Sequence, residues 1–331
     1  METGTTEVSI KGRLTTFPCL QIDGREIVVT GRWLKTAIIK DEEWSERESV
    51  KNPEVFITNL QKTFAKPDIF VFSQSLDETQ PKYPFHLEWD NAAAIPLTKF
   101  SDWWEGRLPQ VTRKNVRRSA KRGVVVRLVP FDDAVVEGIT RIYNETPIRQ
   151  GRRFWHYGKD SATVKRDNSS YLNRSDFLIA YHKDEIIGFI KIVYVGKVAR
   201  IMQIVSMNQH FDKRPANALL AYAVEHCCQK GSSHLVYGKY MYGNKVDSPI
   251  SEFKRRNGFE QVNIPTYYLP LTIKGRVAVA LNLHRGLQHI VPPTLTNLFV
   301  NLRAKISGHS LGSVTGDRSE TVSQTSQEET A

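Results

Sequence analysis

The densest concentration of chemically capable side chains lies in Pro147–Asp160, where Arg149, Gln150, Arg152, Arg153, Trp155, His156 and Tyr157 crowd a segment that no turn requires. Arginines clamp carboxylates or phosphates in bidentate fashion, and aromatic rings offer a stacking face for a sugar or a base. The segment is therefore expected to recognise an acceptor or a donor, with a packed structural loop as the alternative. His156 is the candidate general base, because an imidazole that titrates near ~6.5 suits deprotonation of an amine; a substrate hydrogen bond or a contact inside an aromatic core would use the same residue as well. Glu145 is the rival base, and its alternative role is an ion pair with Arg149, four residues on.

A second group is purely cationic. Arg113, Lys114, Arg117, Arg118, Lys121 and Arg122 fall at helical spacing, and steps of four residues advance by only ~40°, so they form one broad face with Val116 and Ala120 expected behind it. Six cations on one helix repel one another unless a polyanion or nearby carboxylates offset them. If the partner is tRNA or DNA, affinity should fall steeply with salt.

These groups must be held by a regular frame. From Phe177 the chain reads as three β-rich runs, Phe177–Tyr181, Ile186–Tyr194 and Ala199–Met207, separated by short polar turns, which predicts antiparallel strands. Pro215 suits the first turn of a helix, the spacing of Leu219, Leu220, Ala223, Val224 and Cys227 carries that helix to Gln229, and Gly231 ends it. His234–Gly238 reads as a strand, Pro249–Asn257 as a short helix capped by Ser248, and Glu260–Leu271 as a last strand. Upstream, Val124–Val129 is an expected strand and Asp133–Tyr143 an expected helix. The first hundred residues say less: a hairpin around Asp23-Gly24, a helix over Pro53–Phe64, a buried strand over Ile69–Ser73, and a helix opening at Asp102-Trp103-Trp104 whose indoles pack the two halves together.

With that order in place, Ser101–Leu271 resembles the GNAT superfamily of acyl-CoA-dependent N-acyltransferases, and within it the Fem-type aminoacyl transferases. Three motifs carry the resemblance: the basic segment Arg113–Gly123, the segment Arg214-Pro-Ala-Asn-Ala-Leu-Leu220, and Phe253-Lys254-x-x-Asn257-Gly258. The resemblance implies an α/β fold with a mixed, mostly antiparallel sheet flanked by helices and a partial second copy in the N-terminal region. It implies backbone contacts to the donor from Gln203, Ile204 and Val205, phosphate contacts near Lys213, Arg214 and Asn217, and a cleft wall at Tyr237 and Lys239. It places Arg149, Arg152, Arg153, Trp155 and Tyr157 in the acceptor-binding loop, and sets Lys254 where many such enzymes keep an acidic tyrosine. A lysine there is expected to stabilise a developing oxyanion; the alternative is a solvated lysine on a short basic helix. The donor loop departs from the family, since Phe211–Ala216 has no glycine, and what remains for phosphates is a helix start beside Lys213 and Arg214.

The expected activity is transfer of an acyl group from acyl-CoA to an amine by direct attack. The alternatives are a Fem-type transferase that takes its aminoacyl group from aminoacyl-tRNA and acts on a cell-wall or lipid-linked precursor, and a polyanion-binding module without catalysis. The nine histidines and three cysteines show no zinc spacing, so no metal is expected.

Composition sets the limits. The 331 residues are 40% hydrophobic and 10% aromatic, enough for one large or two medium cores, with expected divisions at 1–100, 101–275, 276–306 and 307–331. The net charge is +11, and residues 307–331, rich in serine and threonine, carry −3 of it, which predicts a disordered tail and a body at +14. Such a body suits an anionic partner. No apolar run approaches the roughly 20 residues of a membrane span, and a charged N-terminus replaces the core of a signal peptide, so a cytoplasmic protein is expected. Two helices are expected at Val277–Ile290 and Pro292–Ile306; they either dock on the domain or make a peripheral contact with the inner face of a membrane.

Overall fold

The structure, a computed structural model, describes residues 3–10, 13–40, 50–241 and 248–285. The expected helix at 292–306 and the tail at 307–331 lie outside the described residues. In chain order the elements are β1 (Thr3–Ile10), β2 (Arg13–Ile22), β3 (Arg25–Thr30), β4 (Thr36–Ile39), α1 (Pro53–Gln61), β5 (Ile69–Ser73) and β6 (His86–Pro96). A π-helical turn at Asp102–Arg107 leads to α2 (Gln110–Lys121), β7 (Val124–Val129), α3 (Asp133–Asn144), the short pair β8 (Ile148–Arg149) and β9 (Arg152–Arg153), and α4 (Ser161–Asn168). Then come β10 (Ser175–His182), β11 (Glu185–Val195), β12 (Val198–Ser206), α5 (Pro215–Gln229), β13 (His234–Val236), α6 (Pro249–Arg256), β14 (Glu260–Pro270) and α7 (Ile273–Ala280).

Twelve strands form one sheet in the order β1-β2-β3-β4-β5-β14-β6-β13-β12-β11-β10-β7. All its pairings are antiparallel except two, β4 with β5 and β12 with β13. Each parallel pair closes a strand-helix-strand crossover, through α1 in the first half and α5 in the second. The halves thus repeat one plan, an antiparallel run followed by a parallel crossover, and they exchange their last strands. β14, from the second half, lies between β5 and β6 of the first; β6 in turn pairs with β13 of the second. The exchange fuses 1–100 and 101–275 through a continuous ladder.

Alternation along the strands sends neighbouring residues into separate cores. In the second half, Ile190 and Ile204 meet Leu219 and Leu220 of α5, whereas Phe189 and Val205 meet Ile139 and Tyr143 of α3. The first half packs Phe56 and Leu60 of α1 on Phe70, Phe72 and Tyr267. Asp23 and Gly24, at φ 51° and 68°, make the tight turn between β2 and β3.

Three expectations change in detail. The last described helix begins at Ile273 rather than Val277, because the Thr272 hydroxyl accepts the Gly275 amide and starts it early. On α2 Val116 packs on the core as expected, beside the buried Thr112 and Ser119, but Ala120 is exposed, so the inner face is shifted from the expected Val116/Ala120 line. β13 stops at Val236, two residues short of Gly238, because its parallel pairing with β12 ends at Arg200.

Candidate active site

β12 and β13 stay in register for three residues, Val198 to Arg200 against His234 to Val236, and then part. β12 runs on to Ser206 against β11, with a bulge opposite Lys191/Ile192, while the chain after β13 turns toward β6, its Tyr237 amide donating to Ala93. A wedge opens between them. Its foot is filled from α6. Ser248 caps that helix by accepting the Ser251 amide, Pro249 occupies the first turn, and the C-terminus closes with Phe259 N–H on Lys254 O and Gly258 N–H on Arg255 O.

Lys254 is fully buried by this arrangement. Its Nζ donates to the Lys239 carbonyl at 2.6 Å and stands 4.7 Å from the centre of the Tyr237 ring. Burial disfavours the ammonium and pulls its pKa down to about 7. Three neighbours fix the helix: Trp103 Nε1 donates to the Asn257 carbonyl at 3.1 Å, Thr112 Oγ1 to the Arg256 carbonyl at 2.7 Å, and Asn217 Nδ2 on α5 to Asn257 Oδ1 at 3.2 Å. The Asn217 contact ties the first turn of α5 to the lysine helix. Lys239 itself pairs with Asp90 of β6 at 3.2 Å.

The start of α5 offers a phosphate little. Arg214 is left-handed at φ 58°, Pro215 has no N–H, and the amides of Asn217 and Ala218 both turn back onto the Arg214 carbonyl. The Arg214 guanidinium lies 4.7 Å over the Phe211 ring, with its Nε buried and without a hydrogen-bond partner among the described residues. Lys213 pairs with Asp212, which also holds Arg122, the residue that ends α2.

Glu145, His156 and Arg149 lie on the other face of the sheet, with α3. Glu145 accepts from the Arg149 guanidinium at 3.1 Å and from the amides of Asn208 and Gln209 at 2.7 and 2.8 Å. Arg149 is buried, donates to the carbonyls of Ser206 and Ile142, and packs its guanidinium 4.5 Å from Phe154. Together they clamp the end of β12 and the turn that leads to Arg214. His156 stacks on Tyr143 at 4.1 Å, with the Gln203 amide 3.0 Å from Nε2 and Lys159 Nζ 3.1 Å from Nδ1. Burial, with the positive charges of Lys159 and Arg149, drives its pKa to about 2, so the ring is neutral. Gln203 turns its side chain to this cluster, where its amide also meets the Tyr143 hydroxyl at 2.6 Å. Arg152, Arg153 and Tyr157 are exposed on the β8–β9 hairpin and beyond it, and Trp155 holds Lys159 Nζ 4.1 Å over its ring. The fold therefore gathers Lys254, Tyr237 and Lys239 at the wedge, ties Asn217 to the same helix through Asn257, leaves Arg214 on Phe211, and sets His156, Glu145 and Arg149 apart as a packed cluster behind β12.

On α2, Arg113 donates to the carbonyls of Trp104, Glu105 and Leu108, closing the π-helical turn, and Arg117 lies over Trp104. Lys114, Arg117, Arg118 and Lys121 remain exposed. Two features escape a linear reading. Asn257, the anchor of α6, is recognisable only once α5 and Trp103 are folded around it. His86, Glu88 and His284 also converge, but the Arg285 guanidinium shares the same Glu88 oxygen at 2.9 Å and already supplies a positive charge there. An open groove of about 530 Å³ along β7 and β10 lies away from the wedge; its carboxylate, Asp176, accepts from Tyr194, His226 and Lys230.

Neither family models nor curated protein sequences match the chain. Solved structures do. The fold is similar to FemX, at TM-score 0.55 and 10% identity over 84% of this chain and 90% of that one. It is similar to L-PGS from Bacillus licheniformis, at TM-score 0.53 and 13% identity over 80% and 88%. The C-terminal domain of a lysylphosphatidylglycerol synthetase homologue from Agrobacterium fabrum aligns at TM-score 0.51 and 12% identity over 79% and 86%. The chain has the GNAT/Fem-type fold.

Proposed function

We propose that the protein transfers an aminoacyl or acyl group from an activated ester or thioester to an amine at the β12/β13 wedge. The observation that carries this reading is Lys254, a buried cation at the foot of the cleft with its pKa drawn to about 7. The neutral amine attacks the acyl carbonyl carbon, the C–N bond forms, and the carbonyl electrons move to oxygen. Lys254 trades its contact with the Lys239 carbonyl for that oxyanion. Collapse breaks the bond to the leaving oxygen or sulfur, which takes up the proton the amine gives off. The neutral imidazole of His156 is a positioning group in this scheme, holding Gln203 behind the cleft.

The donor is an aminoacyl ester carried on tRNA. Support comes from the start of α5, whose amides are largely spent on Arg214 and make a poor pyrophosphate cradle, and from the exposed cations of α2. The likeness to FemX and to lysylphosphatidylglycerol synthetases agrees with an aminoacyl group and a lipid or lipid-linked acceptor. Acyl-CoA is the second reading, favoured by the splay of β12 from β13, which suits a pantetheine arm. Thermal shift of the full chain with acetyl-CoA and with tRNA, at low and high salt, separates the two. A salt-sensitive shift with tRNA that weakens in Arg117→Ala/Arg118→Ala is expected; a shift with acetyl-CoA alone would move the donor to a thioester. Loss of turnover in Lys254→Ala tests the site itself, and unchanged turnover would remove it.

A further inference from the structure

At the end of β14 remote from α6, three separate stretches meet on one buried carboxylate. Asp68 accepts the Lys35 amide at 2.9 Å, the Thr272 hydroxyl at 2.8 Å and Lys274 Nζ at 2.8 Å, and its backbone N–H donates to the Lys35 carbonyl. Lys274 Nζ also donates to the Trp33 carbonyl at 2.7 Å, and Lys35 Nζ to the Ala65 carbonyl at 3.0 Å. Residues 31–36, 61–67 and 271–281 are thereby locked side by side. α7 sits so close that a Cβ at Gly275 would lie 2.0 Å from the Asp68 carbonyl oxygen.

This corner turns apolar groups outward. Trp33 is 63% exposed and Phe64 95%, and along α7 and its C-terminal cap Ile273, Val277 and Leu281 are 79%, 49% and 59% exposed. The last three are spaced by four residues, so they make one stripe along the helix. Among the described residues nothing covers them. The inner side of the same helix is already used, with Ala278 and Val279 packed on Ile69. Around the apolar groups stand the exposed cations Arg32, Lys62, Lys66 and Arg276, and the three stretches contain no acidic residue at all.

We infer that this corner is a docking surface for a membrane with anionic lipid headgroups. Aromatic tips on two loops beside an aliphatic helix stripe enter the acyl boundary, and the ring of cations meets the headgroup charge. A second copy of the chain would set like charges against each other around a small patch. A nucleic acid would find cations but no use for Ile273, Val277 and Leu281. The corner lies roughly 33 Å from Lys254, the length of the eleven-residue strand β14, so it acts as an anchor separate from the reaction centre.

The test is co-sedimentation of the full chain with phosphatidylcholine vesicles, with and without phosphatidylglycerol. Binding is expected only with the anionic lipid, and it should weaken severalfold at about 0.5 M salt. Trp33→Ser/Phe64→Ser and, separately, Arg32→Glu/Lys66→Glu should each lower vesicle partitioning by about tenfold or more, with melting temperatures unchanged because all four side chains are exposed. The inference is overturned by a wild-type chain that ignores anionic vesicles, or by variants that bind them as well as wild type. It is overturned equally if the same variants abolish self-association or tRNA binding while vesicles are not bound.

Discussion

The ammonium of Lys254 donates to the main-chain carbonyl of Lys239 at 2.6 Å, from a side chain with no exposed surface. Burial away from water disfavours the ammonium form and moves its pKa to about 7. The contact places a titrating donor at the wedge where β12 and β13 separate, and in the proposed reaction its protonation state governs the chemistry as well as the stability of the fold.

Turnover follows from the first of these. An oxyanion needs the protonated form, so the Lys254-dependent rate should be full below pH 7 and fall as pH rises through about 7. Lys254→Ala should lower kcat by ~10²-fold with a smaller change in KM. In Lys254→Arg the alkaline limb near pH 7 should vanish, because a guanidinium stays charged. A rate that rises with pH through 7 in wild type and loses that rise in Lys254→Ala would assign the lysine as a base instead.

Stability follows from the second. The folded pKa of about 7 lies below the unfolded value near ~10.5, so between these limits the unfolded chain binds more protons and stability increases with pH. Below pH 7 the cost of the buried charge is present in full. Lys254→Met should therefore be more stable than wild type at pH 6, by about 1–3 kcal/mol, with the difference shrinking toward pH 10. Urea unfolding of both proteins at pH 6 and pH 9.5 measures it, and a difference that does not shrink removes the buried ammonium as its cause.

His156 acts in the same direction as Lys254 but over a lower pH window. Its folded pKa of about 2 lies below the unfolded value near ~6.5, so the unfolded chain gains protons first and stability is lost as pH falls below 6.5. His156→Phe should retain the stack on Tyr143 yet strand the Gln203 amide, costing about 1–3 kcal/mol at pH 8. From pH 8 to pH 5 wild type should lose more stability than the variant. Equal losses would mean that the ring is protonated in the fold.

The sequence carried the second half of the fold because its signals there are local. β-Branched runs, a proline at the first turn of α5 and a glycine after its last turn need no distant partner to be read. β6 was invisible for the converse reason. His86–Pro96 contains three successive alanines and no alternation, and it is a strand because β13 and β14 flank it and bury Ala93, Ala94 and Ile95 completely. The site divides in the same way. Lys254 and the Glu145–Arg149 pair could be picked out by position and spacing, but the depth of Lys254, the buried state of His156 and the spent amides of α5 depend on contacts across the sheet.

Gly258 shows how tightly the lysine helix is set. Its φ of +77° supplies the left-handed turn that ends α6, and an added Cβ would stand 2.8 Å from Trp103 Nε1, the atom that bonds Asn257. Gly258→Ala must either strain that turn or push the indole away, and either movement loosens the hydrogen bond from Phe259 N–H to the Lys254 carbonyl. Gly24 is the internal control, with φ +68° but no heavy atom within 4 Å of its added Cβ. Gly24→Ala should cost only the left-handed penalty, about 1–2 kcal/mol, and leave turnover intact. Gly258→Ala should cost at least ~2 kcal/mol more than that, by adding a packing clash, and should lower kcat as well. Equal losses in the two variants, measured by urea unfolding and steady-state kinetics, would mean that Trp103 yields freely and that the position of Lys254 does not depend on it.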